Sequence, residues 1–411
     1  MIGSRASSDR SGKLAFVPTR YAKGMVGGAE LVLAQMAHGL AERGWDVEIL
    51  TTCASNHWTW ENELPAGDSI VDGVPVQRFP VVKEDIPERG VLEHEIMAGG
   101  VPSITEQQRW MNSGMRVPAL YHHLVDHGDD YRAVLFTPYP SWVTFACAQA
   151  VPDKSVLWTC LHDEPYAYLE LFQPVFTGVA GLLFQSGPEH QLAHRIADPL
   201  SPHAVVGCPV AVPKKYDPDG FRERYGIDGR FVFYTGRREG GKGWPDLLDM
   251  LARAVARSPE LPFSLVTGGA GEIDAPAPIK DRVIDVGFLP DEERDNAMAA
   301  ADAYMQPGRY EAFSMTIMES WLAGTPVIAN GAGEVVAWHC KRSGAGLTYD
   351  DEFEFEQCLR FLAEAPEAAA ELAAPGRDYV LDNYQTEHVL DRVECEIARW
   401  TGIRKGSVAG S

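Results

Sequence analysis

The first fifty residues already restrict the fold, because they alternate strand, glycine loop, helix and strand within a short span. Lys13 to Thr19 reads as a buried strand, and the loop after it ends in Gly27-Gly28. A helix follows, with apolar residues at Leu31, Leu33, Ala34, Ala37, Leu40 and Ala41. Arg43-Gly44 stops it, a glycine preceded by a cation in the last turn. Asp46 to Thr52 is a second strand, and this βαβ opening predicts a parallel, doubly wound sheet.

The alternation resumes with strands at Ala133–Phe136, Ser155–Cys160, Gly181–Phe184 and Ala204–Val206. Between the two series, residues 56–128 are less regular. A hairpin is expected around Val71-Asp72-Gly73-Val74, and a helix near Thr105–His127. Cys208 to Lys215 carries two prolines and no helical period, so it reads as a linker. A second strand–helix series starts at Arg230–Thr235 and continues through Phe263–Thr267, Val283–Val286, Ala303–Met305, Pro326–Ala329 and Gly346–Thr348. Two Ala- and Glu-rich helices, 366–383 and 386–401, close the chain.

A chain of 411 residues is long for one core and comfortable for two. The expected organisation is an N-terminal Rossmann-like domain over 1–211 and a second over 212–385. Residues 386–411 are expected to give a helix packing back on the first domain, then a tail. Two α/β halves facing each other would leave a cleft at strand C-terminal ends, where ligands of such folds gather.

Several function classes are disfavoured at once. A net charge of −22 argues against nucleic acid, which demands clustered Lys and Arg, and against docking on anionic lipid. No apolar run is long enough to span a bilayer. Residues 1–12 are polar and read as an unstructured start without the apolar core of a signal peptide. The seven cysteines are scattered and never paired as Cys-x-x-Cys, which suits a reducing cytoplasm. No metal constellation stands out, so the chemistry is expected to need neither metal nor cofactor.

The segment from Gln306 to Ala329 carries most of the chemistry. Glu311 lies in a loop that feeds a helix beginning near Ser314, Glu319 lies within that helix, and an apolar strand follows from Pro326. A helix start offers free N–H groups and a positive dipole end to an anion. Carboxylates on either side accept hydrogen bonds from sugar hydroxyls, so the set suits a nucleoside diphosphate sugar. Earlier, Tyr234-Thr-Gly-Arg-Arg-Glu-Gly-Gly-Lys-Gly243 ends a strand in a glycine-rich loop bearing Arg237 and Lys242, a fork and a compact charge suited to a diphosphate. Taken alone it fits a solvated basic turn somewhat better, and the 306–329 segment tips it towards a ligand. Gly27-Gly28 lacks the full dinucleotide fingerprint and fits a tight turn as well as a ligand-facing glycine. Gly268-Gly269-Ala270-Gly271 is weaker still. His162, in Leu161-His-Asp-Glu-Pro165 after a strand, is placed to reach an interdomain cleft, while Asp163 and Glu164 fit helix capping.

Together these pieces resemble the retaining glycosyltransferases of family four, which have the two-domain GT-B fold. The resemblance runs in order along nearly the whole chain: Gly27-Gly28-Ala29-Glu30, Arg43-Gly44-Trp45-Asp46-Val47, His162-Asp163, Gly236-Arg237 to Lys242-Gly243, Gly268 to Gly271, Val286-Gly287-Phe288-Leu289, and the Glu311/Glu319 segment with Gly324-Thr325-Pro326-Val327. It implies transfer of a sugar from a nucleoside diphosphate donor to a hydroxyl acceptor, in a bacterial glycan or glycosylated-metabolite pathway. Arg237 and Lys242 would hold the diphosphate, with the amides near Ser314, Met315 and Thr316. Glu319 would take the ribose, Glu311 and His162 the sugar, and the base would lie against Phe288-Leu289. Gly28 would give room for diphosphate and acceptor. Retention in this family is described as front-face attack, so no protein nucleophile is assigned. The usual Glu-Gly-Phe-Gly reads Glu311-Ala312-Phe313-Ser314 here, with Ser314 expected to cap its helix, and Gly308 replaces a frequent serine. Two other readings share the fold: a nucleotide-sugar 2-epimerase, and a non-catalytic nucleotide-sugar binder.

Overall fold

Leu14, Ala15, Phe16 and Val17 are all fully buried, as the central strand of a sheet covered on both faces must be. The computed structural model describes residues 10–24, 27–84 and 86–402. Most of the expected unstructured start, and the tail from 403 onward, lie outside the described residues.

The described chain divides into two units, one running to Pro209 and resuming at Thr386, the other spanning Val210–Gln385. The strands of the first are β1 (Lys13–Pro18), β2 (Asp46–Thr52), β3 (Gly67–Val71), β4 (Val74–Phe79), β5 (Val82–Glu84), β6 (Gly114–Arg116), β7 (Tyr131–Thr137), β8 (Ser155–Trp158), β9 (Gly181–Phe184) and β10 (His203–Val205). Eight form a sheet in the order β10-β9-β8-β7-β1-β2-β4-β3, parallel throughout except for the β3–β4 hairpin. β5 and β6 form a separate antiparallel ribbon. The second unit has β11 (Arg230–Thr235), β12 (Phe263–Gly268), β13 (Val283–Gly287), β14 (Ala303–Gln306), β15 (Val327–Asn330) and β16 (Gly346–Tyr349). They pair in the order β13-β12-β11-β14-β15-β16, all parallel. Each unit is therefore a doubly wound, Rossmann-like α/β domain.

The expected hairpin forms at Asp72-Gly73, both in the positive-φ conformation that a two-residue turn demands. The expected helix over 105–127 does not form as one piece. It splits into Ile104–Asn112 and Pro118–His127, with β6 between them. Gly114 at φ +85° and Pro118, which lacks an amide hydrogen, interrupt the ladder. β8 also stops two residues short of the expected strand, and Cys160 sits at φ +49°.

The helix Thr386–Thr401 groups with the first unit. Glu394 on it is buried, accepts from the Trp45 indole at 2.7 Å and pairs with Arg43 at 2.7 Å and Arg10 at 3.0 Å. Leu390 fills the space a side chain would take at Gly39 on the first helix, and the Trp400 ring does the same at Gly181.

Candidate functional site

Strand order sets a switch point in the second unit. β11 comes first in sequence, β12 adds on one side and β14 on the other, so the connections leaving β11 and β14 part company at their C-terminal ends. Ligands of open α/β sheets bind at such a switch point.

The loop after β11 holds two adjacent arginines with opposite fates. Arg238 is almost completely buried, makes a two-pronged pair with Asp285 on β13, and donates to the Gly271 carbonyl at 3.0 Å. Arg237 is half-exposed, meets Glu239 at 3.1 Å and turns its guanidinium away from that internal scaffold. The Tyr234 hydroxyl donates to the Arg237 carbonyl at 2.8 Å, and burial, then Glu311 and Glu239, raises that phenol well above its ordinary range. The Gly268–Gly271 loop zips onto this one: the Gly236 amide donates to the Gly268 carbonyl and the Arg238 amide to that of Ala270. A side chain at Gly269 would collide with the Gly236 carbonyl, and Gly269 has φ +131°, so glycine is required there.

Gly243, at φ +71°, ends the single turn Gly240–Lys242 and starts the helix Trp244–Arg257. A Cβ there would sit 2.5 Å from the Pro307 carbonyl oxygen, so the β11 and β14 loops are in backbone contact. This contact brings Lys242 to Glu311, Nζ to Oε1 2.8 Å, with Gln306 donating to the same oxygen at 3.3 Å.

Glu311 leads through Ala312-Phe313 into the helix Met315–Leu322. The expected cap at Ser314 is absent. Ser314 occupies a left-handed conformation, φ +68°, and its hydroxyl lies 3.4 Å from that of Thr316 without reaching a backbone amide. A capping residue needs extended φ and ψ to turn its oxygen back on the first turn, and φ +68° points it elsewhere. The first-turn amides at Met315 and Thr316 thus carry no side-chain cap. Glu319, one turn further, accepts from Arg294 with both oxygens, at 3.1 and 2.9 Å. Burial raises its pKa against the lowering effect of Arg294. Beside it Asp295 is pushed up to about 6 by burial and by Glu319.

Leu289 is buried against Gly268, 3.1 Å from where a Cβ would be, while neighbouring Phe288 presents its ring to solvent. Thus Arg237, Lys242, Gly268, Phe288, Leu289, Glu311, Ser314, Met315, Thr316 and Glu319 all belong to the second unit. The sequence reading passed over Arg294. Its signal was a lone cation in Asp291-Glu-Glu-Arg294, at the start of a helix otherwise acidic there.

Gly28 and His162 belong to the first unit. Gly28 opens the helix Gly28–Glu42, and a side chain added there would meet open space. Nearby Glu30 is locked by the buried Arg20 at 2.8 Å. His162 follows β8, is partly exposed, and its Nδ1 lies 3.7 Å from Glu164. Its backbone neighbour is fixed from behind: buried Glu189 accepts from the Thr159 hydroxyl at 2.6 Å and the Leu161 amide at 2.7 Å. Burial nonetheless pushes Glu189 up to about 7. Glu164 does not cap the turn Pro165–Tyr168 as expected, because the Tyr139 hydroxyl claims its carboxylate at 2.9 Å. Asp163 is taken by Tyr168 and Arg195.

Residues 229–364 match the family model described as glycosyl transferases group 1. Over that stretch the chain is similar to the group 1 glycosyl transferases. Among curated relatives, a 2-deoxystreptamine glucosyltransferase of Streptomyces kanamyceticus is 25% identical over 217 residues, 50% of this chain and 54% of the relative. That match spans only about half of the relative's length. A D-inositol 3-phosphate glycosyltransferase of Rhodococcus erythropolis is 26% identical over 90% of this chain and 85% of its own. Among solved structures, a sucrose-phosphate synthase from Thermosynechococcus elongatus superposes with a TM-score of 0.72 at 17% identity, covering 95% of this chain and 99% of that one. Anabaena HepE, in complex with UDP-glucose, gives 0.67 at 16% identity over 94% and 99%. The fold of this chain is therefore GT-B, as the motif resemblance implied. Among the described residues no helix is long and apolar enough to cross a membrane.

Proposed function

We propose that this glycosyltransferase moves a sugar from a nucleoside diphosphate donor to a hydroxyl of a small acceptor, with retention at the anomeric carbon and without a metal in the transfer step. The observation that carries the reading is the Lys242–Glu311 contact at the switch point, where a cation and a carboxylate from different strands meet beside an uncapped helix start. In this reading the unit Val210–Gln385 is the donor-binding domain, and the first unit reads the acceptor.

Lys242 and Arg237 hold the diphosphate, and the amides of Met315 and Thr316 add the positive end of their helix dipole. Their charge matters most as the bond from the anomeric carbon to the phosphate oxygen lengthens, because negative charge then builds on the leaving group. Glu319 keeps acceptor capacity for ribose hydroxyls, since a carboxylate offers about four lone-pair sites and Arg294 occupies two. Glu311 contacts the sugar, and Gly268, Phe288 and Leu289 flank the base. In the transfer, the acceptor oxygen bonds to the anomeric carbon from the face the nucleotide leaves, and its proton passes to the departing phosphate oxygen. No protein nucleophile is invoked. Two relatives named for small polyhydroxylated acceptors support an acceptor of that class.

Incubation with UDP-glucose as the first of a series of labelled donors tests this, with the product's anomeric configuration read by NMR. Transfer or slow hydrolysis with the donor's configuration kept, undiminished by a chelator, is the expected result. An epimerised donor, an inverted product or strict dependence on Mg²⁺ would overturn it.

A further inference from the structure

We propose that His190, His194 and His203 form a three-imidazole site for a late first-row divalent ion, Zn²⁺ by its chemistry, at the β10 edge of the first unit's sheet. Among the described residues, one ring nitrogen from each of these three lies within 4.8 Å of the others. The helix Gly187–Ile196 places His190 and His194 on one face, four residues apart, the spacing by which a helix presents two imidazoles to one ion. Their Nε2 atoms are 3.2 Å apart. Two imidazole nitrogens bound tetrahedrally to Zn²⁺ at about 2.05 Å stand about 3.3 Å from each other, so this pair already has the ligating separation.

His203 supplies the third corner from the first residue of β10. Its Nδ1 lies 2.9 Å from the Ser201 carbonyl oxygen, so that nitrogen carries the proton and donates, leaving the Nε2 lone pair for an ion. A carbonyl behind the ring is the support that metal-bound histidines ordinarily have. Phe184 on β9 gives the rings a common floor, with centroids 5.2 Å from His190 and 6.1 Å from His203. Closing the triangle from within 4.8 Å needs ring movements of at most about 1.5 Å to reach tetrahedral spacing, within a histidine's rotamer freedom.

An all-imidazole set excludes Ca²⁺ and Mg²⁺, which want oxygen, and suits Zn²⁺, Ni²⁺ or Cu²⁺, with water in the fourth position. The ion would staple the helix carrying Glu189 to an edge strand otherwise held by β9 alone. The sequence shows no such constellation, because His203 lies beyond the helix and only the fold brings it alongside.

The test is Zn²⁺ titration calorimetry on the untagged, metal-stripped full chain, alongside His194→Ala, His203→Ala and, as a control, His122→Ala. The expected result is one equivalent bound, weakened at least about tenfold in the first two variants and unchanged in the control. Co²⁺ should give the intense visible bands of a tetrahedral centre, lost in His194→Ala. His194 is exposed, so its replacement leaves folding intact, which circular dichroism verifies. Equal Zn²⁺ affinity in His194→Ala, or a Co²⁺ spectrum typical of six-coordinate water and oxygen ligands, overturns the site.

Discussion

The two sheets share an architecture, but their crossovers differ. In the second unit each connection between strands carries one α-helix, save that from β12 to β13, which is a loop ending in the 3-10 helix Ala277–Arg282, and the charged side chains crowd the two loops leaving β11 and β14. In the first unit, the path from β2 to β7 takes in β3 to β6 and three helices, Arg89–Met97, Ile104–Asn112 and Pro118–His127. There Glu30 is held by Arg20 and Glu164 by Tyr139. On the proposed function, the cation–carboxylate pairs of the second unit, Lys242–Glu311 and Arg237–Glu239, open to a ligand, while the first unit carries an elaborated surface. A diphosphate needs the first arrangement; selecting among hydroxyl acceptors needs the second.

The sharpest way to break this contrast is to treat adjacent arginines as opposites. Arg238→Ala removes a buried guanidinium from Asp285 and should cost about 3 kcal/mol of stability, the lower end for such pairs because Asp285 is half-exposed. Denaturant unfolding measures it, and a loss under 1 kcal/mol would show that the loop does not depend on this pair. In the first unit, Glu189 titrates near 7 in the folded chain against about 4.5 when unfolded. Its raised pKa means the folded state holds the proton more tightly, so its stabilising contribution is full below 4.5 and lost as pH rises through 7. Wild type should thus lose up to about 3 kcal/mol relative to Glu189→Gln between pH 4.5 and 8, at about 1.36 kcal/mol per pH unit. Parallel pH profiles for the two proteins would contradict this.

Lys242→Ala or Arg237→Ala should leave unfolding almost unchanged and cut turnover about 10²-fold, roughly 2.7 kcal/mol of transition-state stabilisation. Near-normal rates would remove the diphosphate from this loop. Smallest of all, Ser314→Gly should raise stability by about 1 kcal/mol, because φ +68° strains any residue with a Cβ. A lowered melting temperature would show that the serine hydroxyl makes an offsetting interaction.

The βα periodicity was legible in sequence because buried parallel strands are short apolar runs and glycines mark the loops after them. The same period cannot register a break inside a polar stretch, so 105–127 read as one helix until Gly114 and Pro118 intervened. Motif spacing located Lys242 and Glu311 on separate loops; that Gly243 must touch Pro307 to join them is a tertiary fact. Ser314 misled for a related reason. Serine before a helix ordinarily caps it, but here the backbone keeps a conformation suited to glycine and the hydroxyl is carried away from the amides. Arg294 went unnoticed because nothing in its local pattern shows that it faces Glu319.

The helix Thr386–Thr401 has a consequence for biosynthesis. The first unit's covering over Gly39 and Trp45 is encoded after the whole of the second unit. On the ribosome, the first unit is therefore completed only after the second has emerged. Until Leu390 and Glu394 emerge, the nascent protein holds an exposed apolar seam and an uncompensated Arg43, a window in which chaperones have something to grip.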